Sequence, residues 1–185
     1  LSLNGTLRHV NCALPRAVAA AREGIRELFV PADNAQEASY AEGVTVYPVE
    51  NVSELIAHLR GEFPIKPMDA PKLDPTAVKY LDFADVKGQE NVKRAMEIAA
   101  AGGHNILMVG PPGAGKSMMS KRLPGILPDM TREEMLKSTE IYSVAGLTGK
   151  DNPIISARPF RAPHHTVSST AISGGGTVPR PGEIS

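Results

Sequence analysis

Residues 110–117 fit the phosphate-binding pattern G-x-x-x-x-G-K-[ST] at every fixed position. The glycines let successive backbone N–H groups face one concavity, where they can bind a triphosphate. Lys116 is then placed to reach the β- and γ-phosphates, and the Ser117 hydroxyl is placed to ligate Mg²⁺. The pattern predicts nucleotide triphosphate binding, and a glycine-rich turn with a solvated lysine is the alternative. The eight residues are Gly110, Pro111, Pro112, Gly113, Ala114, Gly115, Lys116 and Ser117.

Two flanking elements have to position this loop. The apolar run at residues 105–109 predicts a buried parallel strand that leads into it. A helix is expected over residues 116–123, because Pro124 cannot continue it, and the positive end of its dipole would face the loop. The sequence therefore predicts strand, loop and helix in the order that a phosphate site needs.

The composition is that of an ordinary soluble chain. It has 185 residues, of which 42% are hydrophobic, and 20 basic side chains balance 20 acidic ones, so the charge does not demand a nucleic-acid partner. No run approaches the roughly 18 apolar residues that cross a bilayer. We expect a cytoplasmic location and no membrane partner. The single Cys12 has no internal disulfide partner, and its apolar neighbours predict a buried structural thiol.

Residues 1–60 predict a small α/β segment in which strands and helices alternate. Glycine and proline at the expected turns and helix ends set the boundaries. In order, we expect a strand at 3–10, a helix with Pro15 in its first turn and Gly24 after its end, a strand at 25–30, a helix that starts at Asn34 and stops at Gly43, a strand at 44–47 and a helix at 53–59.

Residues 61–80 are interpreted as a linker, because four prolines among alternating charges favour an extended spacer.

A second domain is expected over residues 81–185. Its first helix carries the apolar stripe of Val92 and Met96 and ends at Gly102. A capping box at residues 131–134 predicts a further helix over 132–144, and beyond Gly146 the chain is expected to form loops or hairpins.

Six stretches of the chain carry a family resemblance. They are Phe-Ala-Asp-Val-Lys-Gly-Gln at 83–89, the loop at 110–117, Ile-Tyr-Ser-Val-Ala-Gly at 141–146, Arg-Pro-Phe-Arg-Ala-Pro-His-His-Thr at 158–166, three glycines at 174–176, and Pro-Arg-Pro-Gly-Glu-Ile-Ser at 179–185. Together they resemble the magnesium-chelatase-like AAA+ ATPases of the ComM (YifB) type, a group associated with competence and DNA branch migration. The resemblance covers nearly the whole chain.

The resemblance implies an α/β P-loop NTPase (AAA+) fold with a parallel-sheet core, using ATP and Mg²⁺. Lys116 would be the catalytic residue and Ser117 the Mg²⁺ ligand. The nucleotide-binding set would comprise the loop, Met118, and backbone contacts to adenine from Asp85 and Val86. For the last two, a helix start that packs Val86 into the core is the alternative.

The resemblance also implies partners for the longer parent protein. These are ATP and ADP, further copies in a homo-oligomeric ring, expected to be a hexamer, and DNA. In this family the acidic Walker B strand follows the motif that ends at Ser185, so the piece is expected to bind nucleotide and to hydrolyse it negligibly alone. A motor subunit of a metal-chelatase complex and a nucleotide-regulated docking module are the alternatives to a DNA-remodelling ATPase.

The first 60 residues are similar to the carboxy-terminal part of the Lon protease fold, which uses a Ser-Lys dyad. Alignment of residues 22–25 and 29–31 with that pattern places Leu14 where the catalytic lysine would lie. Leucine holds no proton, and Arg16 nearby cannot act as a base. The segment is therefore expected to be a protease-like scaffold without protease activity.

His164 and His165 are the remaining candidates for chemistry. In an extended segment, adjacent side chains point to opposite sides and do not share a metal ion readily. No nearby ligand set completes a zinc site. A loop role toward DNA or a neighbouring subunit, and plain structural hydrogen bonding, stay open beside metal binding.

Overall fold

The computed structural model describes residues 1–73, 79–177 and 179–184. Residues 74–78 of the predicted linker, Val178, and Ser185 at the end of the last family stretch lie outside the described residues. The described part is a mixed α/β structure with a two-stranded parallel sheet. It forms two compact units, one of Leu1–Leu73, Arg132–Ile155 and Pro163–Ser185, the other of Asp74–Thr131 and Ser156–Ala162.

The first unit is built on the sheet and the helices packed against it. Strand β1 (Glu27–Pro31) pairs with β2 (Thr45–Val49) in parallel, with Glu27 opposite Thr45 and Pro31 opposite Val49. The core is rich in alanine, which lets α1 (Ala13–Arg22) and α2 (Ala32–Ser39) approach closely. The elements of this unit are α1 (Ala13–Arg22), β1 (Glu27–Pro31), α2 (Ala32–Ser39), β2 (Thr45–Val49), α3 (Val52–Leu59), α6 (Arg132–Val144) and α7 (Ser169–Ser173).

A buried carboxylate joins distant parts of this unit. Glu37 in α2 is 2% exposed. Its oxygens accept hydrogen bonds from the Leu14 backbone N–H at 3.0 Å, the Ser143 hydroxyl at 2.5 Å and the Thr148 hydroxyl at 3.0 Å. Helix α6, which carries Ser143, packs on α1. Three donors thus compensate the cost of burying Glu37 and bind the segment after residue 132 to the first unit.

The predicted strand at 3–10 is wrong. Only Thr6 forms a bridge, with Asn51, and the rest of the segment has no strand pairing among the described residues. The reason lies in Asn34, whose side chain accepts from the Val10 N–H at 2.9 Å and donates to the Val10 carbonyl at 2.8 Å. A side-chain amide therefore takes the backbone groups that a neighbouring strand would have used.

Helix boundaries in the first unit shift by a few residues from those predicted. Helix α2 begins at Ala32 and ends at Ser39, before the predicted stop at Gly43. Helix α3 begins at Val52, because the Asn51 side chain caps it by accepting from the Glu54 N–H at 2.9 Å.

The described part of the predicted linker contacts the first unit. The Met68 N–H donates to the Val46 carbonyl at 2.8 Å, and the side chains of Met68 and Leu73 pack against the core. Residues 61–73 contain no helix or strand apart from the bridge between Met68 and Val46. The domain boundaries at residues 60 and 80 stay predictions.

The second unit consists of short helices around a small apolar cluster. Helix α4 (Glu90–Gly102) ends at the predicted residue, and α6 (Arg132–Val144), in the first unit, has the predicted bounds. Helix α5 covers Lys116–Ser120, and 3-10 turns cover Phe83–Asp85 and Leu123–Ile126. Val86, Met96 and Met119 are the buried centre of this unit.

The predicted strand at 105–109 is also wrong. The segment leads into the loop as expected, but no described residue pairs with it to form a sheet. Ile106 and Met108 pack against the core, whereas Leu107 and Val109 are 86% and 89% exposed. The alternation of a strand is present without a hydrogen-bonded neighbour. The parallel-sheet core expected for residues 81–185 therefore stays a prediction.

The helix after the loop is shorter than predicted. It ends at Ser120 instead of Leu123, and a 3-10 turn follows at Leu123–Ile126. Pro124 disfavours the α conformation of the residue before it and lacks an N–H, which accounts for the early end. Across the described part of the chain, every helix is too short or too polar to span a lipid bilayer.

Candidate functional site

The loop at residues 110–117 has the backbone shape that its glycines predict. Gly113 and Gly115 have φ of 80° and 83°, in the left-handed region that favours glycine. Side-chain atoms built on Gly113 would meet nothing within 4 Å, so the loop is open on that side. Gly115 is the N-cap of α5, so the loop passes directly into the helix. This geometry leaves room for a ligand to approach the backbone.

Lys116 lies at the start of α5 and folds back over the loop. Its Nζ donates to the Gly110 carbonyl at 2.7 Å and to the Pro111 carbonyl at 2.8 Å. The positive charge is thus held close to the backbone of the loop by neutral acceptors. Contact between this lysine and phosphates stays a prediction.

The neighbours of Lys116 divide between solvent and core. Ser117 and Met118 are exposed, whereas Met119 is 2% exposed and packs in the core with Val86 and Met96. Met119 therefore anchors the short helix, while Ser117 is exposed to solvent. Because that hydroxyl is an accessible oxygen, it fits the ligand preference of Mg²⁺.

The loop borders a cavity of about 430 Å³, within the size range of small-molecule sites. Its wall combines apolar side chains with a few polar groups, including the Lys116 side chain. The lining residues come from α4 and its N-cap, the segment before the loop, the loop itself and α5: Gln89, Asn91, Val92, Ala95, Ile106, Leu107, Met108, Val109, Gly110, Pro111, Ala114, Lys116 and Met119.

Asp85 and Val86 lie on a turn that packs beside α5. Val86 is 4% exposed and belongs to the same core cluster as Met119. Neither Asp85 nor Val86 lines the cavity. Since the Val86 side chain is buried, any contact from Val86 to a ligand would come from its backbone. The core-packing role anticipated for Val86 is present in the structure, and the contact to a base stays a prediction.

Sequence reasoning missed Arg122 in the second unit. Its guanidinium donates to the carbonyls of Asp82 and Met118. The available signal was the pair Lys121-Arg122 at the end of the helix after the loop, but helical position alone did not indicate which of the two turns inward. Lys121 is exposed, whereas the Arg122 side chain is 13% exposed.

The His164 and His165 rings lie on the same side of the chain. Their centroids are 4.1 Å apart, so the prediction that they point apart is wrong. The segment is not extended, because the Val167 N–H donates to the His164 carbonyl at 2.9 Å and closes a turn. His164 Nδ1 lies 2.8 Å from the Thr166 hydroxyl. Within the described residues, no three His, Cys, Asp or Glu side chains are grouped to hold a metal ion.

Leu14 occupies a core position in the first unit. It is 0% exposed, its side chain packs in the core, and its backbone N–H donates to Glu37 Oε1 at 3.0 Å. An apolar, fully buried side chain cannot activate a hydroxyl nucleophile. The residue aligned with the Lon lysine is thus a packing residue in this chain.

A glycine-rich loop that passes into a helix with lysine and serine at its start is the arrangement of phosphate-binding proteins. Comparison with known proteins identifies the protein family to which the chain belongs. The profile of the family described as "Magnesium chelatase, subunit ChlI" matches residues 82–185. The chain belongs to this family.

Individual relatives extend the similarity over the whole chain. An uncharacterised protein of Mycobacterium tuberculosis is 44% identical over 186 residues, and the competence protein ComM of Haemophilus influenzae is 41% identical over 192 residues. Each alignment covers 100% of this chain and 37% of the relative. The chain thus spans little more than a third of the length of these relatives.

The similarity to Lon proteases is partial. The archaeal Lon protease of Methanothermobacter thermautotrophicus is 35% identical over 72 residues, which is 39% of this chain and 10% of that protein. The Lon-like origin of the first segment therefore stays a prediction.

Proposed function

We propose that the chain binds ATP with Mg²⁺ in the loop at residues 110–117, as the nucleotide-binding part of a AAA+ ATPase. The observation that carries this proposal is the position of Lys116, whose ammonium group lies 2.7 Å from the Gly110 carbonyl and 2.8 Å from that of Pro111. A cation held over an open glycine-rich loop is suited to an anionic ligand. Membership of a magnesium chelatase family supports the same conclusion.

Each residue of the loop has a physical role in this proposal. Lys116 would exchange neutral carbonyl acceptors for phosphate oxygens, which form shorter and stronger charge-assisted hydrogen bonds. The conformations of Gly113 and Gly115 would let backbone N–H groups approach the phosphates. Ser117 would supply an oxygen ligand to Mg²⁺, which, when bound, neutralises phosphate charge.

Adenine would contact the backbone of Asp85 and Val86. The Val86 N–H already donates to the Phe83 carbonyl at 3.0 Å, whereas no N–H of the described residues donates to the Val86 carbonyl, so this carbonyl would be the group that accepts from the base. An acceptor suits the amino group of adenine. This contact is part of the proposal and depends on the resemblance that assigned these residues.

For the longer protein we propose ATP hydrolysis in a homo-oligomeric ring, a hexamer, coupled to DNA remodelling or branch migration. The relative named competence protein ComM supports this choice. The family description favours a second candidate, the motor subunit of a metal-chelatase complex. Hydrolysis by the longer protein, measured with and without branched DNA, separates the two: stimulation supports the first candidate and indifference supports the second.

The proposed nucleotide site is tested by titration of the chain with ATP and Mg²⁺. Because Lys116 would make charge-assisted bonds to the phosphates, Lys116→Ala should weaken binding by about 10- to 100-fold. ADP should also bind, and Lys116→Ala should weaken its binding too. Isothermal titration calorimetry gives the dissociation constants.

Lys121→Ala is the matched control for this titration. It removes the same charge from an exposed position five residues further along the chain. The control should bind ATP like the wild type. Equal affinity in the wild type and in Lys116→Ala would contradict the proposed site.

A further inference from the structure

Arg122 links two segments of the second unit that are far apart in sequence. Its Nε donates to the Asp82 carbonyl at 2.8 Å, and one terminal nitrogen donates to the Met118 carbonyl at 3.1 Å. The Arg122 side chain is only 13% exposed. A planar guanidinium can hold both acceptors in a fixed relative position, which a flexible ammonium does not.

The ion pair of Arg122 with Asp85 contributes less. The Arg122 nitrogen and the Asp85 carboxylate oxygen are 4.0 Å apart, and the Asp85 side chain is 66% exposed. Solvent screens a pair of this kind, so its contribution to stability is small. The two bonds to backbone carbonyls therefore carry the link.

The two carbonyls lie in the two segments that would bind the nucleotide. Asp82 opens the turn at residues 82–86, where its side chain accepts from the Ala84 N–H at 2.9 Å. Met118 lies in α5, two residues after Lys116. Arg122 thus ties the turn assigned to the base to the helix that carries the phosphate-binding lysine.

We infer that Arg122 is a positioning residue that holds the turn at residues 82–86 in register with α5, so that base and phosphates of one nucleotide are bound together. This inference rests on the proposed ATP site. Arg122 itself does not touch the ligand in this account. Loss of the Arg122 side chain should weaken the contribution of the base to ATP affinity and leave the contribution of the phosphates unchanged.

The test compares ATP with tripolyphosphate, which carries three phosphates and no base, both with Mg²⁺. For Arg122→Ala we expect a loss of ATP affinity of up to about tenfold, the size of one hydrogen bond between neutral groups, here adenine and the backbone of the turn. Tripolyphosphate affinity should stay within about twofold of the wild type, because its contacts are confined to the loop. Lys121→Ala is the matched control and should change neither ligand.

Arg122→Lys keeps the charge and reaches one acceptor instead of two, so it should lose less ATP affinity than Arg122→Ala. If Arg122→Ala does not fold by circular dichroism, Arg122→Lys decides the question. Equal losses for ATP and tripolyphosphate, or no loss for either, would overturn the inference. A wild-type chain that binds neither ligand would overturn the proposed function itself, and the inference with it.

Discussion

At the scale of single residues, the most buried charge of the first unit lies outside the proposed nucleotide site. Glu37 is satisfied by hydrogen bonds from α1, α6 and the loop after α6. If the Ser143 hydroxyl is removed, a buried carboxylate oxygen loses a close donor, and such a loss costs about 1–3 kcal/mol. Glu37 therefore acts as a structural carboxylate that joins segments 106 residues apart.

We predict that Ser143→Ala lowers the free energy of unfolding of the chain by about 1–3 kcal/mol, because the buried Glu37 carboxylate loses a hydroxyl donor. Urea denaturation followed by circular dichroism measures the difference. Ser138→Ala, the same substitution in the same helix, is the control and should change stability by less than about 0.5 kcal/mol. Similar losses in the two variants would show that Glu37 does not depend on the Ser143 hydroxyl.

The conformation of the loop could be predicted from neighbours in sequence, and contacts between residues far apart in sequence could not. The loop at 110–117 follows a local pattern, and Lys116 lies at the loop as that pattern requires. Glu37 and Arg122 were missed because their partners are 106 and 40 residues away. A sequence pattern carries no signal for such pairs.

Among the secondary-structure elements, helices depend on local sequence signals, whereas strands depend on partners elsewhere in the chain. The end of α4 and both ends of α6 are as predicted, because caps, glycines and apolar spacing are local signals. The segment at 105–109 has the alternation of a strand, yet a strand exists only beside a hydrogen-bonded neighbour. Its exposed Leu107 and Val109 form an apolar face that is uncovered among the described residues.

We predict that backbone amides at 105–109 exchange with deuterium much faster than those of Met96 and Ala99 in α4, because they lack strand partners. Hydrogen exchange followed by mass spectrometry or NMR measures this on the chain. In a longer protein that supplies neighbouring strands, the same amides should become protected. Equal protection of both segments in the chain would mean that residues 105–109 are already paired.

For the molecule as a whole, segments that are far apart in sequence lie in the same compact unit. The family profile matches residues 82–185, but Arg132–Ile155 pack in the same compact unit as Leu1–Leu73. Local patterns predicted helix α6 and did not indicate that it packs on α1. The chain also spans only 37% of the length of these relatives, so the activity of the longer protein is a proposal.

In the proposed complex, ATP binds with its phosphates in the loop and its base at the turn. Amide chemical shifts of the isotope-labelled chain, recorded during titration with ATP and Mg²⁺, test it most directly. We predict the largest changes at residues 113–118, 85 and 86, with tripolyphosphate reproducing those of the loop but not those of the turn. Changes confined to other residues, with the loop unaffected at saturating ATP, would contradict the account.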